Sequence, residues 1–140
     1  MLVKLITPQL SREFDNVVSI VVPTTLGDLQ ILPAHSTLIA ELELGEMELL
    51  FSDNKLQSIA IYVGFVRVLE DNIVEFITDD IEFIEELDLN SVQAAYEEEE
   101  KIASEPIIDE ESYIQKVSIA NREAFRLRMA KKHHSKKQYR

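Results

Sequence analysis

Short apolar runs bounded by turn residues dominate the first 85 positions. Residues 2–6 and 17–22 are such runs, rich in branched side chains, and read as strands. The stretch VVPTTLGDLQILPAHSTL, residues 21–38, breaks at Pro23, turns around Gly27 and Asp28, recovers over 29–32 and stops at Pro33. Leu38, Ala40, Leu42 and Leu44 then alternate with Ile39, Glu41 and Glu43, the period of two that a half-buried strand requires. Gly45 turns the chain, and Glu46-Met47-Glu48-Leu49 resumes the alternation. Runs at 59–63, 65–69 and 73–78 follow, separated by turns of which Ser52-Asp53-Asn54-Lys55 and Glu70-Asp71-Asn72 are the clearest. Eight or nine closely spaced strands without intervening helices predict a sandwich or flattened barrel.

After Asp88 the pattern changes. Residues 91–104 are built largely from Gln, Ala and Glu, which favour helix, and Val92, Ala95, Tyr96, Ile102 and Ala103 form one apolar stripe interrupted by Glu99. Pro106 ends this helix, having no N–H to donate. Asp109 is the expected N-cap of a second helix, with Glu110 and Glu111 complementing its positive end. Tyr113, Val117, Ala120, Ala124 and Leu127 recur at spacings of three and four on one face. A connection of about five residues makes the pair an antiparallel hairpin. Its alanine-rich stripes bury little area per turn, so it is expected to move more readily than the sheet. The expected division is a sandwich domain over 1–86 and a helical hairpin with a basic tail over 87–140.

Composition sharpens this picture at three points. The 140 residues include no cysteine, which removes disulfides, thiol nucleophiles and thiolate metal sites. The N-terminus lacks the basic and apolar regions of a secretory signal, and no window approaches the ~20 apolar residues of a membrane-spanning helix. A soluble, cytoplasmic protein that reaches a membrane only through partners is therefore expected. The net charge of −12 argues against nucleic acid as a partner. That average conceals a division: residues 1–121 hold 6 basic and 25 acidic side chains, net −19, whereas residues 122–140 hold 8 and 1, net +7. A segment so charged is suited to an acidic partner surface.

Candidate chemistry is sparse. His35 has no ligand set around it, the other histidines being His133 and His134 in the basic tail, and Ser36 and Asp28 make no catalytic motif with it. Glu97, Glu98, Glu99 and Glu100 point in different directions on a helix, and neither they nor Asp79-Asp80 sit in a calcium-binding loop, so a solvated face is expected. Gly27, Gly45 and Gly64, the three glycines, cannot form a phosphate-binding loop. No catalytic residue, metal site or cofactor is expected.

Taken together these motifs resemble a known family. Pro23, Gly27-Asp28-Leu29, Ile31-Leu32-Pro33, His35-Ser36 and Leu38 are similar to the signature of the epsilon subunit of the bacterial rotary ATP synthase. Thr7-Pro8, Leu42-x-x-Gly45-x-Met47-x-Leu49, Gly64-Phe65, Asn72-x-Val74 and Leu87-Asp88 match in order over essentially the whole chain. The resemblance implies a ten-stranded β sandwich followed by a two-helix hairpin, and a non-catalytic rotor subunit of the central stalk of a proton-translocating ATP synthase. It implies binding to the gamma subunit and to the c ring, a peripheral location on the cytoplasmic face of the membrane, and a mobile hairpin that extends among the alpha and beta subunits to restrain ATP hydrolysis. Asp28 and His35 become expected contacts with gamma or the c ring.

The chain departs from the family at two places. A glycine frequent in the signature is Gln30 here. Members that bind ATP between the folded helices read Ile-Asp-x-x-Arg-Ala, whereas this chain reads Leu87-Asp88-Leu89-Asn90-Ser91-Val92. Asp88, Arg122 and Arg126 remain of that site, the first-helix arginine is missing, and the glutamates at 97–100 oppose a triphosphate, so weak or no ATP binding is expected. Arg128, Lys131, Lys132, Lys136 and Lys137 are the expected electrostatic contacts with acidic partner segments. The competing reading is a free-standing nucleotide or small-ligand sensor on the same fold.

Overall fold

The computed structural model describes residues 1–104 and 109–138, which divide into two compact units, Met1–Phe83 and Ile84–Arg140. The first unit is all strand: β1 (Leu2–Ile6), β2 (Ser11–Phe14), β3 (Val17–Thr24), β4 (Gly27–Ile31), β5 (Leu38–Leu42), β6 (Gly45–Phe51), β7 (Leu56–Ile61), β8 (Gly64–Val68), β9 (Ile73–Thr78) and β10 (Ile81–Phe83). Hydrogen bonding links all ten in one curled sheet. Its two layers are β4-β3-β6-β7-β10 and β5-β8-β9-β1-β2, joined where Thr24 of β3 meets Leu42 of β5. All pairings are antiparallel except that of β1 with β9.

The core follows the period-two pattern. Val3 and Leu5 of β1, Met47 and Leu49 of β6, Val66 and Val68 of β8, and Val74 and Phe76 of β9 all point inward and are buried. One strand breaks phase: Val17 and Ile20, three apart, are both buried, because the register against β6 shifts between Val17 and Ser19. Such a bulge inserts one residue and turns the following side chains back to the core face. Apolar periodicity alone underestimated the strand count, since β2 (SREF) carries one apolar position and β10 (IEF) is only three residues long. They are the two ends of the main strand path, and they meet: Phe14 packs on Phe51 and Phe83, and the Arg12 guanidinium lies 4.6 Å from the Phe83 ring centroid. Aromatic and cation contacts thus tie the two ends of the path together across the layers.

Two glycines are fixed by close approach. A Cβ on Gly45 would sit 2.6 Å from Pro23 Cγ, and one on Gly64 would run into the Ile77 carbonyl oxygen and the Thr78 Cα. Thr78 is one of two buried polar residues among the described residues; its hydroxyl lies 2.9–3.2 Å from the carbonyls of Tyr62, Val63 and Asp80 and so ties the β7–β8 connection to the β9–β10 connection.

The second unit opens with a 3-10 turn, Ile84–Glu86, followed by helices α1 (Leu89–Ala103) and α2 (Glu110–Gln138). Val92 of α1 packs with Leu127 and Ala130 of α2, supported by Leu87, Leu89 and Tyr96. The start of α1 thus meets the far end of α2, as an antiparallel hairpin requires. The expected apolar stripe on α2 holds only in its second half: Leu127 is buried, whereas Tyr113 and Val117 are 51% and 40% exposed. The reason is where the partner lies, since the buried cluster is built on the first turns of α1, opposite residues 127–130. The basic segment is also no separate tail, because α2 continues as helix through it to Gln138. Pro106 lies outside the described residues, as do the side chains of Ala103, Lys136 and Lys137.

Candidate interaction surfaces

The signature stretch folds as an edge. β3 and β4 form a hairpin around Thr25 and Leu26, with Gly27 at φ 110, a conformation a side chain would resist, and with the Thr24 hydroxyl donating to the Gly27 carbonyl. Among the described residues β4 pairs with β3 alone, so its other edge carries no strand of the sheet. Asp28 is exposed near the start of β4, opposite Pro23. Gln30, in the position where the family often has glycine, lies in regular strand opposite Val21 and donates to the Ser19 hydroxyl at 3.3 Å. No left-handed backbone is required there, which is why glutamine is accepted.

His35 follows the other end of β4. Its N–H donates to the Leu32 carbonyl at 3.1 Å, closing a four-residue turn with Pro33 and Ala34 at the corners, and Ala34 has φ 63. Proline at the first corner and a positive φ at the second define a type II turn, in a position that normally takes glycine. The half-buried His35 ring sets Nδ1 2.8 Å from the Ser36 carbonyl, so Nδ1 carries the hydrogen when the ring is neutral. Asp28 and His35 are therefore not side by side: at ~3.3 Å per residue, roughly 13 Å of strand separates position 28 from the turn. What they share is β4, one at each end.

Sequence reasoning missed the residue that holds this turn. The Ala34 N–H donates to Asn72 Oδ1 at 2.6 Å, across 38 positions. Asp71-Asn72 was legible as a hairpin corner, and both residues have the positive φ that such a corner needs, but the reach of one side chain to a distant loop is a tertiary event.

The outer face of the second layer is the other surface. Phe65 stands opposite Glu41 and Ile77 in the ladder, and Phe65, Ile77 and Ile39 are 51%, 42% and 71% exposed. Beside them Arg67 pairs with Glu75, its cross-strand neighbour.

The helical unit separates the nucleotide candidates. Asp88 caps α1, accepting from the Asn90 N–H at 3.2 Å and from the Ser91 hydroxyl at 2.8 Å; these bonds, Ser91 first, hold its carboxyl below the ordinary value. Arg126 is engaged in a two-point pair with Glu123, at 2.9 and 3.3 Å, and Arg122 also has a partner. The carboxylate and both second-helix arginines of the clamp are thus engaged, and the fourth position, 91, is serine. Arg128 and Lys131 are exposed, Arg128 lying 5.9 Å from the Phe125 ring, while Lys132, also exposed, has a contact. Among the described residues there is no His or acidic cluster that could hold a metal. Among the described residues no helix is long and apolar enough to cross a membrane.

The family model for the ATP synthase Delta/Epsilon chain β-sandwich domain matches residues 1–84, the whole of the ten-stranded unit. The chain belongs to this family. The ATP synthase epsilon chain of Solibacter usitatus (strain Ellin6076) is 32% identical over 102 residues, spanning 73% of this chain and 75% of its own. That of Leptospira borgpetersenii serovar Hardjo-bovis (strain JB197) is 35% identical over 101 residues, 72% of this chain and 78% of its own. The fold is shared with a chain of the Euglena gracilis mitochondrial ATP synthase, solved as OSCP, F1 and c-ring in one rotational state: TM-score 0.67, 24% identity, 84% of this chain and 72% of that one. It is shared also with a chain of the Tetrahymena thermophila mitochondrial ATP synthase central stalk and c-ring: TM-score 0.65, 21% identity, 93% and 96% covered. As an epsilon-chain homologue the protein is a rotor-stalk subunit, an accessory part of an ATP synthase.

Proposed function

We propose that this stalk subunit couples gamma to the c ring through its sandwich and restrains ATP hydrolysis through its helical hairpin. The observation that carries the reading is the edge of β4 that carries no strand of the sheet, with exposed Asp28 at one end and the His35 turn at the other, in a chain of epsilon-chain descent. An edge strand with flanking polar side chains suits a neighbouring subunit, and Asp28 and His35 are assigned to contact with gamma or the c ring. The exposed row of Phe65 and Ile77 offers apolar area to the same assembly.

The helices form a compact unit of their own, small in buried area, which suits an element with two alternative positions. The basic second half of α2, with Arg128, Lys131, Lys132, Lys136 and Lys137, is assigned to acidic segments of the beta subunits when the hairpin is extended. ATP is not the switch, because Asp88 and Arg126 are already bound within the chain and position 91 is serine. The location is the cytoplasmic face of the membrane, peripheral, through the complex.

Co-purification with gamma followed by ATPase assays tests the whole reading. The full chain should bind gamma and lower ATP hydrolysis; a chain lacking residues 88–140 should bind and not inhibit. Equal rates with the two chains would refute the regulatory role, and failure to bind gamma would refute the stalk contact. Removing residues 131–140 should weaken inhibition at low salt, since exposed charges act within about a Debye length. Unchanged inhibition would remove the charge from the account. Calorimetry that found a tight stoichiometric ATP site would overturn the nucleotide reading.

A further inference from the structure

Ala34 is the one residue with positive φ that is neither Asn, Asp nor Gly among the described residues, and it sits next to His35. L-residues resist this conformation, and alanine has no polar side chain to compensate, so the turn needs support from outside. The support is Asn72. Its side-chain oxygen accepts the Ala34 N–H at 2.6 Å, and its own carbonyl accepts the Leu2 N–H at 2.9 Å. Its backbone, at φ 58, forms the corner between β8 and β9 with Asp71 at φ 61. One residue therefore joins the first strand, the β8–β9 corner and the turn that carries His35. Asparagine suits all three demands, since it tolerates the left-handed conformation and carries an acceptor on a short arm.

We propose that Asn72 is the positioning residue for the His35 contact: by holding Ala34 in its left-handed conformation it presets the turn that His35 offers to the neighbouring subunit. This rests on the contact reading of His35 given above. Without the anchor the turn samples several conformations, and the contact is formed from a minor population.

Two variants separate the side chain from the backbone. Asn72→Gly keeps a residue suited to positive φ and keeps the carbonyl that serves Leu2, but removes the acceptor. Asn72→Asp keeps the acceptor. In the full chain, hydrogen exchange at the Ala34 amide should accelerate roughly five- to tenfold in Asn72→Gly, as expected for one lost hydrogen bond, with the Leu2 amide unchanged. Asn72→Asp should retain the protection. Unchanged exchange at Ala34 in Asn72→Gly, or equal loss in Asn72→Asp, would overturn the positioning role. The coupling arm uses the assembled ATP synthase and reads proton pumping per ATP hydrolysed. Asn72→Gly and His35→Ala should each lower it, and the pair together should lower it no further than His35→Ala alone. Full additivity would show that Asn72 does not act through His35 and would overturn the proposal. A silent His35→Ala with altered Ala34 exchange would sink the contact reading while leaving the anchor in place.

Discussion

Replacing Gly45 by alanine tests the tightest contact in the signature region. The new Cβ would lie 2.6 Å from Cγ and 3.0 Å from Cβ of Pro23. Carbon atoms settle at about 3.5–4.0 Å, so the two elements must part by roughly 1 Å. The proline ring cannot rotate away. Its strand is held on both sides, by the ladder position opposite Asp28 and by the Glu43 N–H donating to the Pro23 carbonyl at 3.1 Å. Overpacking of this kind costs about 1–3 kcal/mol, and alanine recovers up to roughly 1 kcal/mol of chain entropy relative to glycine. A net loss of about 1–2 kcal/mol is expected. Pro23→Ala removes Cγ and Cδ and leaves only the 3.0 Å contact, so the double variant should regain about 1 kcal/mol relative to the sum of the singles. The assay is urea unfolding of the full chain, followed through the backbone amide signals of Leu49 and Ile59, which report on the sandwich. If the single losses add in the double variant to within about 0.3 kcal/mol, the contact is not the reason for glycine at position 45.

Gly64→Ala meets backbone atoms of Ile77 and Thr78, which cannot step aside, and should cost at least about 3 kcal/mol; soluble, normally melting protein would contradict this. Thr78→Val keeps the shape and removes the hydroxyl that links the β7–β8 and β9–β10 connections, for an expected loss of about 1–2 kcal/mol in the same unfolding measurement. Asp88 and Asp109 both have carboxyls held below their ordinary value of 3.8, Asp88 chiefly by the Ser91 hydroxyl and Asp109 chiefly by the Ser112 N–H. Because both folded values are depressed, this stabilisation of the hairpin is complete above 3.8 and lost as pH falls below it. Circular dichroism should show constant helicity from neutral pH to that point and a decline below, and the decline should shrink in an Asp88→Asn, Asp109→Asn chain.

Strands with period-two patterning were legible, and β1 and β9 fall on the residues the sequence marked, because alternation and burial report the same side-chain geometry. β2 and β10 were not. Their residues are held by Phe14, Phe83 and Arg12 meeting across the two layers, and such meetings have no local signature. The bulge in β3 was hidden for the opposite reason: a run of branched residues looks the same in either phase. On the helices, spacing located the stripe of α2 but not its partner, so Tyr113 and Val117 were expected to be buried when only the second half of the helix is covered. Asp28 and His35 were picked out by the motif they stand in. Asn72 was visible as a turn residue, and its second role depends on a loop 38 positions away.

The parallel pairing of β1 with β9 has a consequence for how the chain is made. Leu2 waits for Ile73, and Ile6 for Ile77, so the first strand, which has only β2 beside it at first, leaves the ribosome long before its parallel neighbour exists. Contacts this distant in sequence slow folding and leave apolar segments exposed meanwhile. Val3 and Leu5 are therefore solvent-facing through most of translation, and the second layer closes only when nearly all of the sandwich has emerged. The two-helix unit, whose partners are near neighbours in the chain, has no such wait. Early-truncated chains should be aggregation-prone and chains cut just after residue 83 should not, an asymmetry set by one strand pairing.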